Sequence, residues 1–95
     1  MTIMCTVSIT GTTVEKIREV SKERPDLGEK LGKLLKQHGL IAHRRFYNGN
    51  EVLDLDEWET EEGFHAFIKE ARPIIDELAR LRGADIPTDK VWYPF

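Results

Sequence analysis

The chain has 95 residues, a formal net charge of −3 and an isoelectric point near 5.6. This length predicts one domain, residues 1–95, with a modest core that self-association would help to stabilise. The acidic balance argues against a nucleic acid or an anionic membrane as partner. Cys5 is the only cysteine, which excludes an intrachain disulfide and favours a cytoplasmic location. No apolar run approaches the roughly 18 residues of a membrane span, and the first residues do not resemble a signal peptide.

The first predicted elements are a strand and a helix. Residues 2–10 alternate with a period of two, and Cys5 shares the apolar face with Ile3, Val7 and Ile9. Cys5 is therefore expected to be a small buried hydrophobe. Thr12 and Glu15 form a capping-box pattern at the start of the helix. Pro25 is expected to break this helix, Asp26 to cap its second part and Gly39 to end it.

A β-hairpin follows, with Asn48-Gly49-Asn50 as its turn and Trp58 at the end of its second strand. The loop length decides which cation faces Asp54. A two-residue turn at Asn48-Gly49 places His43 opposite Asp54 and Arg45 opposite Val52. A three-residue loop places Arg44 opposite Asp54 instead, and the sequence leaves both alternatives open.

The second predicted helix is capped by Thr60 and carries a broad apolar stripe that includes Phe64 and Phe67. Pro73 is expected to kink or break it near Arg72, and Arg82-Gly83 ends it. The tail, residues 88–95, has the alternation of an edge strand. The order β-α-β-β-α-β predicts an α+β, ferredoxin-like fold with a four-stranded antiparallel sheet and both helices on one face.

The third strand is apolar on both of its faces. Leu53 and Leu55 lie opposite the face that carries Trp58, and a sheet with one solvated face would be polar there. The simplest cover for the second face is another copy of the same sheet. The sequence thus predicts a homodimer.

The run from Val52 to Phe67, which contains Trp58-Glu59-Thr60 and Phe64-His65-Ala66-Phe67, resembles the dimeric α+β barrel proteins, and among them the antibiotic-biosynthesis-monooxygenase-like domains. In that family the third strand ends in Trp-Glu-Ser/Thr, and the next helix begins with an acidic residue and Phe-x-x-Phe. The resemblance implies a homodimeric barrel with a small-molecule cleft between each sheet and its helices. It does not imply one activity, because the family contains cofactor-free oxygenases, haem degraders, isomerases and proteins of unknown role.

The haem-degrading branch of that family is a poor match. Its members resemble this chain at Trp58, but they also need an asparagine on the first strand and a histidine about one turn beyond the Phe-x-x-Phe segment. The first strand of this chain has no asparagine, and His65 comes too early and on the polar face of the helix. No haem and no other cofactor is therefore expected.

The hairpin concentrates polar side chains on one stretch of sheet. Its cations face Asp54 and Asp56, and the ordinary interpretation is cross-strand ion pairing. The alternative is the polar end of a ligand pocket, in which a histidine–aspartate pair could move a proton. A metal site is not favoured, because the adjacent arginines repel a cation. The candidate pocket residues are His43, Arg44, Arg45, Asp54, Asp56, Trp58 and, on the last strand, Tyr93.

Three functions remain open from the sequence, and none requires a cofactor. The first is a homodimer that binds a small, mostly apolar organic molecule. The second is a cofactor-independent monooxygenase that deprotonates an aromatic or quinol-like substrate and positions it for oxygen. The third is a non-catalytic module for assembly or partner binding. Whether the chain is an enzyme is left undecided by its residues.

Overall fold

A computed structural model describes residues 1–95 as a single sheet packed against three helices. The elements are β1 (Ile3–Ile9), α1 (Val14–Glu23), α2 (Pro25–Gln37), β2 (Leu40–Asn48), β3 (Glu51–Trp58), α3 (Glu61–Arg82) and β4 (Thr88–Trp92). The strand order is β2-β3-β1-β4, and all neighbouring strands are antiparallel. This confirms the predicted ferredoxin-like fold. None of the helices combines the length and the apolar composition that crossing a bilayer would require.

The predicted break at Pro25 is confirmed, since α1 ends at Glu23 and α2 begins at Pro25. Proline is tolerated at the first helical position, where its missing N–H has no partner to lose. The predicted caps are wrong by one or two residues. Thr13, and not Thr12, accepts the hydrogen bond from the Lys16 N–H. Asp26 does not cap α2, because the helix already begins at Pro25, and the Asp26 carboxylate accepts two hydrogen bonds from the Arg24 side chain.

The helix α3 has the predicted start and end and is continuous between them. Thr60 caps it as expected, accepting from the Gly63 N–H at 3.0 Å, and Gly83 ends it in the left-handed conformation. Of the kink or break predicted at Pro73, the break is absent, because the helix continues without interruption to Arg82. Packing of the apolar stripe of α3 on the sheet therefore outweighs the one backbone hydrogen bond that Pro73 cannot donate.

The hairpin register differs from both alternatives that the sequence offered. Asn48 pairs with Glu51, so the loop is Gly49-Asn50, with a positive φ of 61° at Gly49 alone. A positive φ at the first central position only is typical of a type II′ turn, whereas the expected Asn-Gly turn needs positive φ at both. As a result Arg45 pairs with Asp54 and His43 with Asp56, while Arg44 pairs with Leu55 on the other face.

The two faces of the sheet have different environments. On the helix-facing side, Cys5 is fully buried beside Trp58 and Phe67, which confirms its prediction as a small core residue. Burial, reinforced by the Asp89 carboxylate, raises the pKa of the Cys5 thiol to about 12. The opposite side is the open face of the sheet. It exposes large apolar side chains, with 43% of Phe46, 37% of Leu53 and 47% of Trp92 accessible.

Candidate ligand-binding site

A cavity of about 270 Å³ lies between the helix-facing side of the sheet and the helices α2 and α3. This volume is just below the range of roughly 300–1,000 Å³ that is typical of small-molecule pockets. More than half of its lining residues are hydrophobic, among them Val7, Leu31, Leu35, Phe64, Ile68 and Ile75. The cavity follows β3, whose alternate residues Asp54, Asp56 and Trp58 all line it.

One end of the cavity is aromatic. Trp58 is 1% exposed and packs edge-on against Phe64 at a ring-centroid distance of 5.7 Å, with Phe67 at 5.2 Å. Its position at the end of β3, directly before α3, places the indole between the sheet and the helix, as expected from the sequence. The Trp58 Nε1–H is buried and has no hydrogen-bond partner in the protein. Indole N–H groups that are buried normally have one.

A bidentate ion pair lies further along β3. The Arg45 Nε donates to Asp54 Oδ1 at 2.5 Å, and its terminal nitrogen donates to Oδ2 at 2.9 Å. Asp54 is only 7% exposed, so its carboxylate depends on these bonds for the stabilisation that water would otherwise supply. Arg45, and neither His43 nor Arg44, is therefore the partner of Asp54, which corrects the expectation from the sequence.

His43 and Asp56 form the next pair along the strand. His43 Nδ1 and Asp56 Oδ1 are 2.5 Å apart, and Asp56 is 7% exposed whereas the histidine side chain is 42% exposed. Burial raises the pKa of the Asp56 carboxyl above its usual value, and the hydrogen bond from His43 opposes this only in part. When Nδ1 carries the hydrogen that Asp56 accepts, Nε2 of His43 is the nitrogen with a free lone pair.

Arg82, in the last turn of α3, lines the other end of the cavity and is not among the site residues predicted from the sequence. Arg82 is 9% exposed, and its Nε has no hydrogen-bond partner. Burial, followed by repulsion from Arg45, lowers the pKa of the Arg82 guanidinium. One signal could have identified it, because Arg82 follows Leu78 by four residues and so continues the buried stripe of α3.

Two of the predicted pocket residues lie outside the cavity. Arg44 projects to the open face of the sheet, where its guanidinium carbon is 5.0 Å from the centre of the Phe46 ring. Tyr93 is 61% exposed, and its hydroxyl donates to Glu61 Oε1 at 2.8 Å. The structure brings the other candidates together around one cavity, namely His43, Arg45, Asp54, Asp56 and Trp58.

The chain is similar to known proteins in structure but not in sequence. The sequence matches no protein-family profile and no curated protein sequence. Solved structures match along nearly the whole chain. A monooxygenase from the gene ActVA-Orf6 of Streptomyces coelicolor, in complex with Nanaomycin D, has a TM-score of 0.71 at 13% identity, over 98% of this chain and 87% of that one.

Two further structures are similar. A variant of SnoaB, a cofactor-independent oxygenase from Streptomyces nogalater, has a TM-score of 0.67 at 10% identity, over 98% of this chain and 92% of that one. A dimeric ferredoxin-like protein from an uncultured marine organism has a TM-score of 0.68 at 14% identity, over 99% and 88% of the two chains. This chain has the fold of the antibiotic-biosynthesis-monooxygenase-like proteins. At these identities, the likeness establishes the fold of those proteins and not their activity.

Proposed function

We propose that this protein binds a small, mostly apolar organic molecule in the cavity between the sheet and α3. The observation that carries the proposal is the composition of the cavity wall. Apolar side chains surround most of it, while two buried donors, Trp58 Nε1 and Arg82 Nε, have no partner in the protein. Ligand pockets typically combine an apolar lining with a few such polar groups. Most buried donors of a core that serves only stability are paired, so two unpaired donors on the wall of one cavity favour a ligand site.

The binding test uses the fluorescence of Trp58. Trp92 is 47% exposed on the open face and would report surface adsorption, so Trp92→Phe is the background for all variants. In that background, flat aromatic compounds are expected to shift or quench the emission of Trp58 in a saturable manner. His43→Ala is expected to change the affinity, because His43 lines the cavity.

His65→Ala is the matched control for this test. The His65 side chain is 62% exposed on the outer side of α3, where it pairs with Glu61 outside the cavity. Its removal should leave the affinity unchanged. Absence of any saturable response across a series of flat aromatic compounds would contradict the proposal. Equal affinities in the parent, His43→Ala and His65→Ala proteins would place the ligand elsewhere.

A second candidate function is cofactor-independent oxygenation, favoured by the His43–Asp56 pair. A carboxylate that accepts from Nδ1 orients the imidazole and leaves the Nε2 lone pair free to accept a proton. Such a base can remove a proton from an electron-rich phenolic or quinol-like substrate, whose anion then reacts with oxygen. Two of the proteins that share this fold are described as oxygenases.

Oxygen consumption separates this candidate from simple binding. A substrate of the phenol or quinol class is expected to drive oxygen uptake by the parent protein, and His43→Ala should slow it by at least about a hundredfold, the lower range of general-base contributions. If the compound binds without oxygen uptake, only the first function, ligand binding, is supported. If the compound neither binds nor drives oxygen uptake, the third interpretation, a module for assembly, is favoured.

We also propose that the protein acts as a homodimer in the cytoplasm. The open face of the sheet exposes Phe46 and Leu53 side by side on β2 and β3, and Trp92 on β4, so large apolar side chains extend across a face that would be polar if it were solvated. A second copy placed on this face would cover them, and one protein of the same fold is described as dimeric. The single, buried, unpaired cysteine supports the cytoplasmic location.

A further inference from the structure

The buried charged side chains that line the cavity have ion-pair partners, with the exception of Arg82. Both oxygens of Asp54 are already engaged by Arg45, and Asp56 is paired with His43. No carboxylate is within ion-pair distance of Arg82, although the residue is 9% exposed and its Nε has no partner. A guanidinium carries five N–H donors in a fixed plane and keeps its charge even when buried.

The remaining charges on the cavity wall do not compensate for this buried cation. Asp89 and Arg72 also line the cavity, but both are exposed residues of opposite sign at its rim. The charged group that acts most strongly on Arg82 is Arg45, whose repulsion exceeds the attraction of Asp54. The buried part of the Arg82 end therefore carries an excess of positive charge.

We propose that the ligand of this cavity is an organic carboxylate, bound with its anionic group at Arg82 and its apolar body directed towards Trp58. This inference rests on the proposed ligand-binding function and adds the chemical class and orientation of the ligand. A carboxylate matches the planar donor geometry of a guanidinium. Asp54, at the charged end, and Trp58, at the aromatic end, are separated by about 13 Å along β3, a length that suits a flat aromatic body.

The test compares two ligands of the same shape. 2-Naphthoate and 2-naphthamide differ only in the replacement of an anionic oxygen by an uncharged amide nitrogen. Calorimetric titration of the parent protein at neutral pH is expected to show naphthoate binding at least about tenfold more tightly, the effect of one charge-assisted hydrogen bond.

Arg82→Gln and Arg80→Gln form the matched pair of variants. Arg82→Gln should weaken the binding of naphthoate by about tenfold or more and change the binding of naphthamide by less than about twofold. Arg80 lies in the same turn of α3 but is exposed, pairs with Glu77 and does not line the cavity, so its replacement should change neither. Circular dichroism and thermal unfolding establish that each variant is folded.

The outcomes separate this inference from the proposed function. Equal affinities for naphthoate and naphthamide in the parent protein overturn the carboxylate assignment but leave ligand binding intact. A preference for naphthoate that persists in folded Arg82→Gln overturns the placement of the anion at Arg82. If neither compound nor any other flat aromatic binds, the proposed function fails as well. If Arg82→Gln does not fold, Arg82→Met replaces it in the same comparison, and the two ligands in the parent protein still decide whether a carboxylate is preferred.

Discussion

Asp54 and Asp56 are alternate residues on one face of β3, yet the structure gives them different partners. Asp54 receives two hydrogen bonds from an arginine, whereas Asp56 receives one from a histidine that is 42% exposed. Burial is the larger effect at Asp56, and it raises the pKa of that carboxyl. The ionised form of Asp56 therefore destabilises the folded protein, and protonation of Asp56 or a ligand bound beside it would remove this cost.

The pH dependence of stability should reveal this. Because the pKa of Asp56 is higher in the folded chain than in the unfolded chain, the folded state binds its proton more tightly. The resulting stabilisation is complete below the unfolded pKa, about 4, and is lost as the pH rises through the folded pKa. The unfolding free energy of the parent minus that of Asp56→Asn should thus decrease as the pH rises above about 4.

Urea unfolding at several pH values measures this difference. Asp76→Asn is the control, since Asp76 is exposed on α3 and makes no ion pair. If the parent instead becomes more stable relative to Asp56→Asn as the pH rises, the interaction of Asp56 with His43 outweighs the cost of its burial.

Arg82 shows why one part of the site could not be predicted from the sequence. An arginine followed by glycine at the end of a helix is ordinarily a solvated cation that complements the helix dipole, and Arg82-Gly83 fits that pattern. Its spacing from Phe64, Phe67 and Leu78 places it on the buried stripe instead. Whether such a residue turns to solvent or into a cavity depends on the elements packed around it, and this is information that helix periodicity does not contain.

At the scale of elements, the sequence predicted their order and the strand faces, but not the hairpin register or the course of α3. The register depended on which two residues of Asn48-Gly49-Asn50 formed the loop. Gly49 can supply a positive φ as the second residue of an Asn48-Gly49 loop or as the first residue of a Gly49-Asn50 loop. At Pro73, a local rule predicted a kink or a break, and the packing of Phe67, Ala71 and Leu78 keeps the helix unbroken. Local preferences thus located the elements, and tertiary packing decided their details.

The contact between α2 and α3 depends on the absence of a side chain at Gly63. A Cβ at this position would lie 2.3 Å from the His38 carbonyl oxygen, at the end of α2. Gly63→Ala should therefore lower the unfolding free energy by about 1–3 kcal/mol, the usual cost of forcing atoms into a packed site. Gly32→Ala in α2 meets no atom within 4 Å and should raise it by about 0.5–1 kcal/mol. Urea unfolding of both variants tests the contact, and equal effects of the two substitutions would contradict it.

At the scale of the whole molecule, one sheet serves two purposes on its two faces. The helix-facing side combines the core with a cavity, while the open face exposes Phe46, Leu53 and Trp92. The alternation of apolar residues on β3 predicted this second apolar face from the sequence. The structure of one chain adds that Arg44 and Lys90 lie against the Phe46 and Trp92 rings, whereas Leu53 lies on the inner strand β3, between Phe46 of β2 and Ser8 of β1.

Leu53 is therefore the position at which to test assembly. The parent protein is expected to sediment as a dimer at micromolar concentration, through an interface of about 2,000 Å² or more. Leu53→Asp should shift it to the monomer, because dimerisation would bury an unpaired carboxylate. The side chain is 37% exposed in the single chain, so the monomer should keep its far-ultraviolet circular dichroism. Ile86→Asp places the same charge at a residue that is 54% exposed and lies outside the sheet, and it should leave the dimer intact. A parent protein with the monomer mass would exclude the paired-sheet assembly.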